Sequence, residues 1–474
     1  MHHSGMHPIF INGGWVSVQG PPRNVKNPAT LELLDTVPEC GVAEVERAVD
    51  AARAAQSEWC RVPAADRRAL LIEIGARIRA SKPELASLLT RETGKPLCES
   101  GDCIDAAARV FETSSESAFL PSSAIGATAG VVAAIMPFNF PLLATACAVA
   151  PVLATGNTVV CKPPPQNPLT SLKMAELYGS LPAGVVNLIT GGADTGRALI
   201  RHPDVSLVRF TGSAAVGRSI AAATRAERID LALGTVDAFI VCEDANLDVT
   251  VPGIAWARLM NAGQACLHGK HIYVERSIAA EFADRMHQCV GFLDVDDPMK
   301  CPTDLGPLIS LEAAHRVEDQ VGRTLREGAT LILGGRRFRP SGLPGHFFQP
   351  TILSNVRPGG VATREEILGP VITITTAGGV SEALRWASEF QTDFRASIYT
   401  SDPQAALKTL EPVQLGNFRI NDPVSGEDAG PFAGLRRGPA ARAAGSKCVQ
   451  VAAKMERKSW WFPYRDRAAA CGLG

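Results

Sequence analysis

The sequence predicts an α/β protein built on parallel sheet, with more than one domain. Short apolar segments of strand character alternate with amphipathic helices for most of the length, an order typical of parallel strands covered by helices. At 474 residues the chain is too long for one ordinary hydrophobic core, so two or three domains are expected.

The first clear element is a helical region over residues 64–90. Its Leu and Ile side chains recur at near-helical spacing, with Arg and Glu between them. Gly94 and then Pro96 are expected to end it, because glycine caps helices and proline interrupts them.

Short apolar strands are predicted next, each running into a turn: 131–136, 158–161, 185–189 and 207–210. Loops at strand ends hold the ligands of open α/β sheets, so this half of the chain is expected to bind a nucleotide. The pattern restarts near residue 233, with a strand over 238–242 and a helix through Trp256. We therefore expect a nucleotide-binding domain over 1–232, a second domain over 233–435, and a tail over 436–474 that is irregular or adds a strand.

Composition and charge exclude several classes of protein. The net charge is −1 and charges of both signs are mixed along the chain, so no nucleic-acid partner is expected. The N-terminus lacks the pattern of a secretory signal. Residues 130–156 carry no charge, but three prolines interrupt them, which favours a buried strand, turn and helix over a membrane span. The 12 cysteines have neither C-x-x-C nor zinc-ligand spacing, so we expect no metal and a reducing, cytoplasmic location.

Cys266 is the first candidate for chemistry, at the end of the segment Asn261-Ala262-Gly263-Gln264-Ala265-Cys266. A thiol after a glycine-containing turn can lie close to backbone N–H groups, which lower its pKa and can stabilise an oxyanion. The alternative is a buried structural cysteine.

Three other strand ends carry candidates. Asn139 lies on a turn between two prolines, where an amide donor suits an oxyanion hole or simply bonds its own backbone. Gly212 ends a strand and Ser213 opens a helix, whose N–H groups favour a pyrophosphate, although a plain turn would look the same. Lys162 could reach a ribose or phosphate, or be an ordinary surface lysine.

Taken together, the order and spacing of these motifs resemble the aldehyde dehydrogenase superfamily from about residue 9 to residue 434. The motifs include Asn27-Pro28-Ala29-Thr30, Glu92-Thr93-Gly94-Lys95-Pro96, Pro137-Phe138-Asn139-Phe140-Pro141, Phe210-Thr211-Gly212-Ser213, Asn261 to Cys266, Glu365-Glu366-Ile367-Leu368-Gly369-Pro370 and Pro431-Phe432-Ala433-Gly434. The resemblance implies a Rossmann-type cofactor domain, a second α/β catalytic domain and a small oligomerisation element near 112–130.

It also implies roles for single residues. Cys266 would attack a small aldehyde, and Asn139 with the Cys266 backbone N–H would hold the oxyanion. Hydride would pass to NAD or NADP and leave a thioester on the cysteine. Lys162 would bind the adenosine ribose and Glu366 the nicotinamide ribose, while Gly212 and Ser213 would lie by the pyrophosphate.

The sequence departs from the family at the general base. The family carries Glu-Leu-Gly-Gly where this chain has Ala232-Leu233-Gly234-Thr235, and the flanking motifs fix the register. Alanine cannot take a proton, and loss of a general base costs on the order of 10²–10⁴ in rate.

Other departures affect the cofactor site and the assembly. The family's second ribose carboxylate is replaced by Pro165, its E-x-F-G-P phenylalanine by Leu368, and its Tyr-Gly-Leu by Phe394-Arg395-Ala396. The chain is also about a dozen residues short between Gly94 and Asn139, where the family's oligomerisation hairpin usually lies. A homodimer is therefore left open.

Three functions stay open from the sequence. The first is an oxidising dehydrogenase whose water is activated by another group or only slowly. The second is an acylating dehydrogenase that passes the thioester to coenzyme A, since a thiol depends less than water on a strong base. The third is a catalytically impaired protein or partner subunit that keeps the fold.

Overall fold

The computed structural model describes residues 5–114, 130–234, 237–265, 269–389, 395–410, 416–422 and 447–451. Cys266, Phe394 and most of the predicted oligomerisation element lie outside these described residues.

Strands and helices alternate along most of the described chain. The strands are β1 Ile9–Ile11, β2 Gly14–Val16, β3 Pro22–Lys26, β4 Leu33–Pro38, β5 Val131–Ile135, β6 Thr158–Lys162, β7 Val186–Leu188, β8 Val205–Gly212, β9 Arg228–Leu233, β10 Ala238–Val241, β11 His271–Glu275, β12 Thr330–Leu333, β13 Thr351–Ser354, β14 Val371–Ala377, β15 Arg395–Tyr399, β16 Gly416–Ile420 and β17 Lys447–Val451. The helices are α1 Val42–Trp59, α2 Ala64–Ala80, α3 Lys82–Thr93, α4 Leu97–Thr113, α5 Pro141–Ala154, α6 Leu169–Lys173, α7 Ala193–Arg201, α8 Ala214–Ala223, α9 Leu247–Leu259, α10 Ala279–Gly291, α11 Leu311–Arg326, α12 Val361–Arg364, α13 Val380–Ser388 and α14 Pro403–Leu410. Short 3-10 helices occupy Met174–Tyr178, Met260–Gly263 and Pro340–Gly342.

The first sheet has the strand order β2-β1-β7-β6-β5-β8-β9. Its strands β7, β6, β5, β8 and β9 are parallel, and the β1–β2 hairpin extends one edge in the antiparallel sense. Every residue of β5 and β6 is buried, as expected for strands covered on both faces. One face packs on a core that includes α2, α4 and α5, and the other on a core that includes α1 and α7.

The second sheet has the order β12-β13-β14-β11-β10-β15-β16-β17. It is parallel except for β12, which runs antiparallel to β13. The chain passes from the first sheet to the second between Leu233 and Ala238. The strands β3 and β4 form a separate antiparallel hairpin.

Most predicted elements are present, but two successive helices were wrongly predicted as one. The strands expected at 131–136, 158–161, 185–189, 207–210 and 238–242 are β5, β6, β7, β8 and β10, with ends that differ by at most two residues. The helix expected over 64–90 is instead two helices, because the backbone turns at Ser81 and Pro83 enters the first turn of the next helix.

The uncharged residues 130–156 form the predicted strand, turn and helix, namely β5, the Asn139 turn and α5. Among the described helices, none combines the length and apolar character needed to cross a membrane.

Candidate active site

Three of the predicted site residues lie at or just beyond the carboxyl ends of neighbouring parallel strands. Asn139 follows β5, Lys162 ends β6, and Gly212 ends β8. Because these strands are parallel, their ends share one edge of the first sheet, the edge at which such sheets bind ligands.

The Asn139 turn is held by contacts on both sides. Asn139 is buried, and its Oδ1 accepts a hydrogen bond from the Phe140 N–H at 3.1 Å. The Lys95 ammonium lies 3.7 Å from the centre of the Phe140 ring, and Asn167 Nδ2 donates to the Phe138 carbonyl at 2.7 Å. Lys95 and Asn167 are therefore positioning residues that the sequence reasoning did not single out, although Lys95 belongs to the Glu92–Pro96 motif.

The segment that precedes Cys266 has an unusual backbone. Asn261, Ala262 and Gly263 have φ values of 53°, 52° and 72°, three left-handed residues in succession. A side chain at Gly263 would meet the Gly369 carbonyl at less than 3.0 Å, so only glycine fits there. Buried Arg258 fixes this turn by donating from Nη1 to the Gly263 carbonyl at 3.3 Å.

A direct hydrogen bond joins this segment to the Asn139 turn. Asn261 Nδ2 donates to the Asn139 carbonyl at 3.0 Å, and the Asn261 N–H donates to Glu99 Oε2 at 2.8 Å. Gln264 braces the turn by donating from Nε2 to the Asn261 carbonyl at 3.0 Å. The described chain stops at Ala265, so the position of Cys266 beside Asn139 stays a prediction.

Glu366 lies where the two sheets meet. A Cβ on Gly234, just beyond β9, would fall less than 3.0 Å from Glu366 Oε2, and the Gly234 N–H donates to the Gly212 carbonyl at 3.1 Å. The Lys270 ammonium lies 3.7 Å from Glu366 Oε1 and also donates to the Ala265 carbonyl. Burial raises the pKa of the Glu366 carboxyl, and the nearby Lys270 opposes that rise only in part.

Ala232 lies on β9, opposite Thr211 of β8 and two residues before Gly234. The position at which the sequence predicts the family's general base is thus at the same sheet edge as Gly212 and Glu366. Its methyl group offers no proton acceptor.

Lys162 is a buried cation at the end of β6. Its Nζ donates to the Gly191 carbonyl at 3.0 Å and to the Pro163 carbonyl at 3.1 Å. Burial lowers the pKa of Lys162 to about 8. Gly196 of α7 lies close to this side chain, since a Cβ there would be in ordinary van der Waals contact with Lys162 Cε at 3.6 Å.

The Gly212–Ser213 turn opens α8. Ser213 caps the helix by accepting a hydrogen bond from the Val216 N–H at 3.4 Å. A helix N-terminus with a nearby glycine suits a pyrophosphate, and Lys162 and Glu366 offer a cation and a carboxylate along the same edge. These donors and acceptors fit a dinucleotide.

The described cysteines are mostly poor nucleophiles. Burial raises the pKa of the thiols of Cys103 and Cys147, and raises that of Cys40 to about 11 and those of Cys161 and Cys242 to about 12. A thiol with a raised pKa stays protonated near neutral pH, whereas the thiolate is the reactive form.

Comparison with known proteins by family model and by sequence points to one and the same family. A family model described as the aldehyde dehydrogenase family matches residues 15–456. The chain is 32% identical over 446 residues to succinate-semialdehyde dehydrogenase [NADP(+)] of Escherichia coli, covering 90% of this chain and 92% of that one.

Solved structures agree with the sequence relatives. Lactaldehyde dehydrogenase from Escherichia coli matches with a TM-score of 0.82 and 31% identity, over 88% of this chain and 91% of that one. Glyceraldehyde-3-phosphate dehydrogenase from Methanocaldococcus jannaschii, complexed with NADP, matches with a TM-score of 0.79 and 31% identity. The match covers 86% of this chain and 91% of that one.

Proposed function

Because the chain belongs to the aldehyde dehydrogenase family, we propose that it oxidises a small aldehyde to a carboxylic acid through a thioester on Cys266. The observation that carries the proposal is the hydrogen bond from Asn261 Nδ2 to the Asn139 carbonyl at 3.0 Å. This bond ties the proposed oxyanion donor to the segment that leads into the proposed nucleophile.

The nucleophile is assigned to Cys266. Its thiolate would attack the carbonyl carbon of the aldehyde and form a tetrahedral adduct with a negatively charged oxygen. The Asn139 side-chain amide and the Cys266 N–H would stabilise that oxygen, a role in which one donor is worth about 2.7–4 kcal/mol. The raised pKa values of the buried described thiols support Cys266 over those cysteines.

The cofactor is NAD or NADP, which accepts the hydride when bound. Lys162 is proposed to bind the adenosine ribose, Gly212 and Ser213 the pyrophosphate, and Glu366 the nicotinamide ribose. The position of Glu366 at the junction of the two sheets supports the last assignment, because that junction also contains the end of β9 and the segment that leads to Cys266.

Release of the acyl group is the step on which the alternatives differ. With alanine at position 232, water must be activated by another group or attack slowly. Transfer of the acyl group to coenzyme A is one alternative, and an impaired protein that serves as a partner subunit is the other. A cytoplasmic location and a homodimer also stay predictions.

The experiment is to count NADH or NADPH equivalents per subunit with excess cofactor and a panel of aldehydes, including succinic semialdehyde and lactaldehyde. Production well beyond one equivalent is expected for an oxidising enzyme, with none from Cys266→Ser. A stop at one equivalent with an acyl adduct in the protein mass would identify blocked deacylation. Turnover that resumes with coenzyme A would favour the acylating enzyme, and no adduct at all would contradict the proposal.

A further inference from the structure

An ion pair that the proposed mechanism does not use joins β8 to β9. Arg209 and Asp230 are partners in the register of these two parallel strands. Arg209 Nε lies 3.2 Å from Asp230 Oδ2, and the two side chains are 8% and 19% exposed. The pair is therefore largely shielded from water, and each charge depends on the other for stabilisation.

The ion pair lies on the face of the first sheet that α5 covers. Arg209 Nη1 donates to the Cys147 carbonyl of α5 at 3.5 Å, and the Asn139 turn leads directly into that helix. Alternate side chains of a strand point to the same face, so Asp230 shares its face of β9 with Ala232. Asp230 and position 232 therefore lie on the side of the sheet to which the Asn139 turn leads.

The Asp230 carboxylate has one oxygen that the ion pair leaves unused. Oδ2 faces Arg209, whereas Oδ1 is buried and has no hydrogen-bond partner within the described part of the chain. A buried oxygen without a partner is unfavourable, and a bound water molecule is the usual way to satisfy it. Oδ1 is thus a proton acceptor to which a water molecule can donate.

The surroundings of Asp230 suit a general base. Burial raises the pKa of its carboxyl group, and the Arg209 guanidinium opposes that rise in part. A general base is most effective when its pKa lies near the working pH, so a raised pKa favours this role for an aspartate. Because the side chain is 19% exposed, a proton taken up by Asp230 can leave to solvent.

Position 232 leaves room for a water molecule beside this carboxylate. The residue there is a half-buried alanine, whose methyl group is shorter than the glutamate side chain of the family. Side chains two positions apart on a strand are separated by about 6.6 Å. A water molecule bonded to Asp230 at about 2.8 Å fits within that separation. It would occupy the volume that a glutamate at position 232 would fill.

We propose that Asp230 replaces the missing glutamate as the general base that activates water for release of the acyl group. The inference rests on the proposed thioester on Cys266. Oδ1 takes one proton from the water, and the water oxygen bonds to the thioester carbonyl carbon. The C–S bond then breaks, its electron pair stays on Cys266 Sγ, and the product leaves as a carboxylic acid. The proton passes from Asp230 to solvent, and Arg209 is the positioning residue.

The test uses p-nitrophenyl acetate, an activated ester that acylates a reactive thiol without a dinucleotide. A burst of one p-nitrophenolate per subunit measures acylation, and the steady rate that follows measures deacylation. Wild type should show both and Cys266→Ser neither. Asp230→Asn should keep the burst, lower the steady rate by on the order of 10²–10⁴-fold, and retain the acetyl group in the protein mass. Asp105→Asn, an aspartate that pairs with Lys82 at 2.7 Å, is the matched control and should behave as wild type.

Two double variants separate catalysis from a structural role of the ion pair. Asp230→Asn with Ala232→Glu should recover the steady rate, because the new glutamate supplies a base while the ion pair stays broken. Asp230→Asn with Arg209→Gln removes both charges and leaves neither buried alone, which matters if the single variant does not fold. It should keep the burst and lose the steady rate.

A wild-type steady rate in Asp230→Asn, loss of the burst along with the steady rate in both Asp230→Asn and its Arg209→Gln double variant, or no recovery with Ala232→Glu would overturn the proposal. No burst in wild type would overturn it together with the role of Cys266. Steady ester hydrolysis that depends on Asp230, without NADH or NADPH from any aldehyde, would sustain this inference while the proposed oxidation fails. Undiminished aldehyde turnover by Asp230→Asn would sustain the oxidation and overturn the inference.

Discussion

The Glu366 carboxylate lies directly against the backbone of Gly234, at the point where the chain leaves the first sheet. A methyl group on Gly234 would fall less than 3.0 Å from Glu366 Oε2, while the Lys270 ammonium lies 3.7 Å from the other oxygen. Glu366, which is proposed to bind the nicotinamide ribose, is thus enclosed between a glycine just beyond β9 of the first sheet and a lysine that directly precedes β11 of the second.

Gly234→Ala should displace that carboxylate. We expect a loss of about 1–3 kcal/mol in stability from overpacking and about a tenfold weaker dinucleotide Kd, measured by thermal unfolding and calorimetry. Gly291→Ala is the control, because no atom lies within 4 Å of its added Cβ. An unchanged Kd in Gly234→Ala would argue that Glu366 does not contact the cofactor.

Ala232→Glu should restore the missing proton acceptor. If deacylation limits turnover, steady-state NAD(P)H production is expected to rise by on the order of 10²–10⁴-fold. Ala232→Gln has the same size but accepts no proton at neutral pH, so it should stay at the wild-type rate. A rise in both variants would point to a packing effect, and a rise in neither would mean that another step is limiting.

The affinity for NADP+ should depend on the protonation of Lys162. Burial lowers its pKa to about 8; Glu39 and Cys161 raise the pKa and Arg23 lowers it further. Lys162 therefore carries its charge below about pH 8 and loses it as the pH rises through that value, so the Kd for a 2′-phosphorylated dinucleotide should increase above pH 8.

Calorimetry from pH 7 to pH 10 measures this effect, since the 2′-phosphate has its full charge over most of that range, with a second pKa of about 6. Lys162→Met should bind more weakly and with a flatter profile. The same pH dependence in Lys162→Met would assign the titration to another group.

The Glu92–Pro96 motif has a structural explanation in this fold. Glu92 is fully buried, and its carboxylate accepts from the Leu169 and Thr170 N–H groups at 2.8 Å each and from the Thr170 hydroxyl. It thereby joins α3 to the start of α6, just after Asn167, whose side chain supports the Asn139 turn.

Glu92→Gln replaces an acceptor oxygen by an NH₂ group that faces N–H or O–H donors. At pH 8, above the Glu92 pKa of about 7, we expect a loss of about 1–3 kcal/mol in the free energy of unfolding, measured with urea. Glu84→Gln, an exposed carboxylate that pairs with Lys173, should be close to wild type. Equal stability of all three proteins would contradict the role given to Glu92.

The sequence was sufficient to predict those strands and helix ends that depend on a short, local pattern of residues. Buried apolar runs that end at turns located β5, β6 and β8, and Gly94 located the end of α3, where its φ is 79°. The break at Ser81 was missed because the side-chain periodicity continues across it, and a proline in a first turn is compatible with a helix.

The residues that hold the candidate site in place were not predicted from the sequence, for a different reason. Arg258 donates to the carbonyl of Ile367, 109 residues away, and such a backbone partner leaves no pattern in the sequence. The left-handed conformation of Ala262 was equally unpredictable, because alanine rarely adopts it and only the surrounding contacts impose it.

Part of the C-terminal tail belongs to the second sheet, as the strand β17. Its residues 447–451 pair in parallel with all five residues of β16, so this piece of the tail is the edge strand on one side of the second sheet, as far as the described residues go. A protein shortened before residue 447 would leave β16 with a row of unpaired N–H and C=O groups open to other molecules. For proteins that carry a tag or a deletion at this end, aggregation should therefore be measured as well as activity.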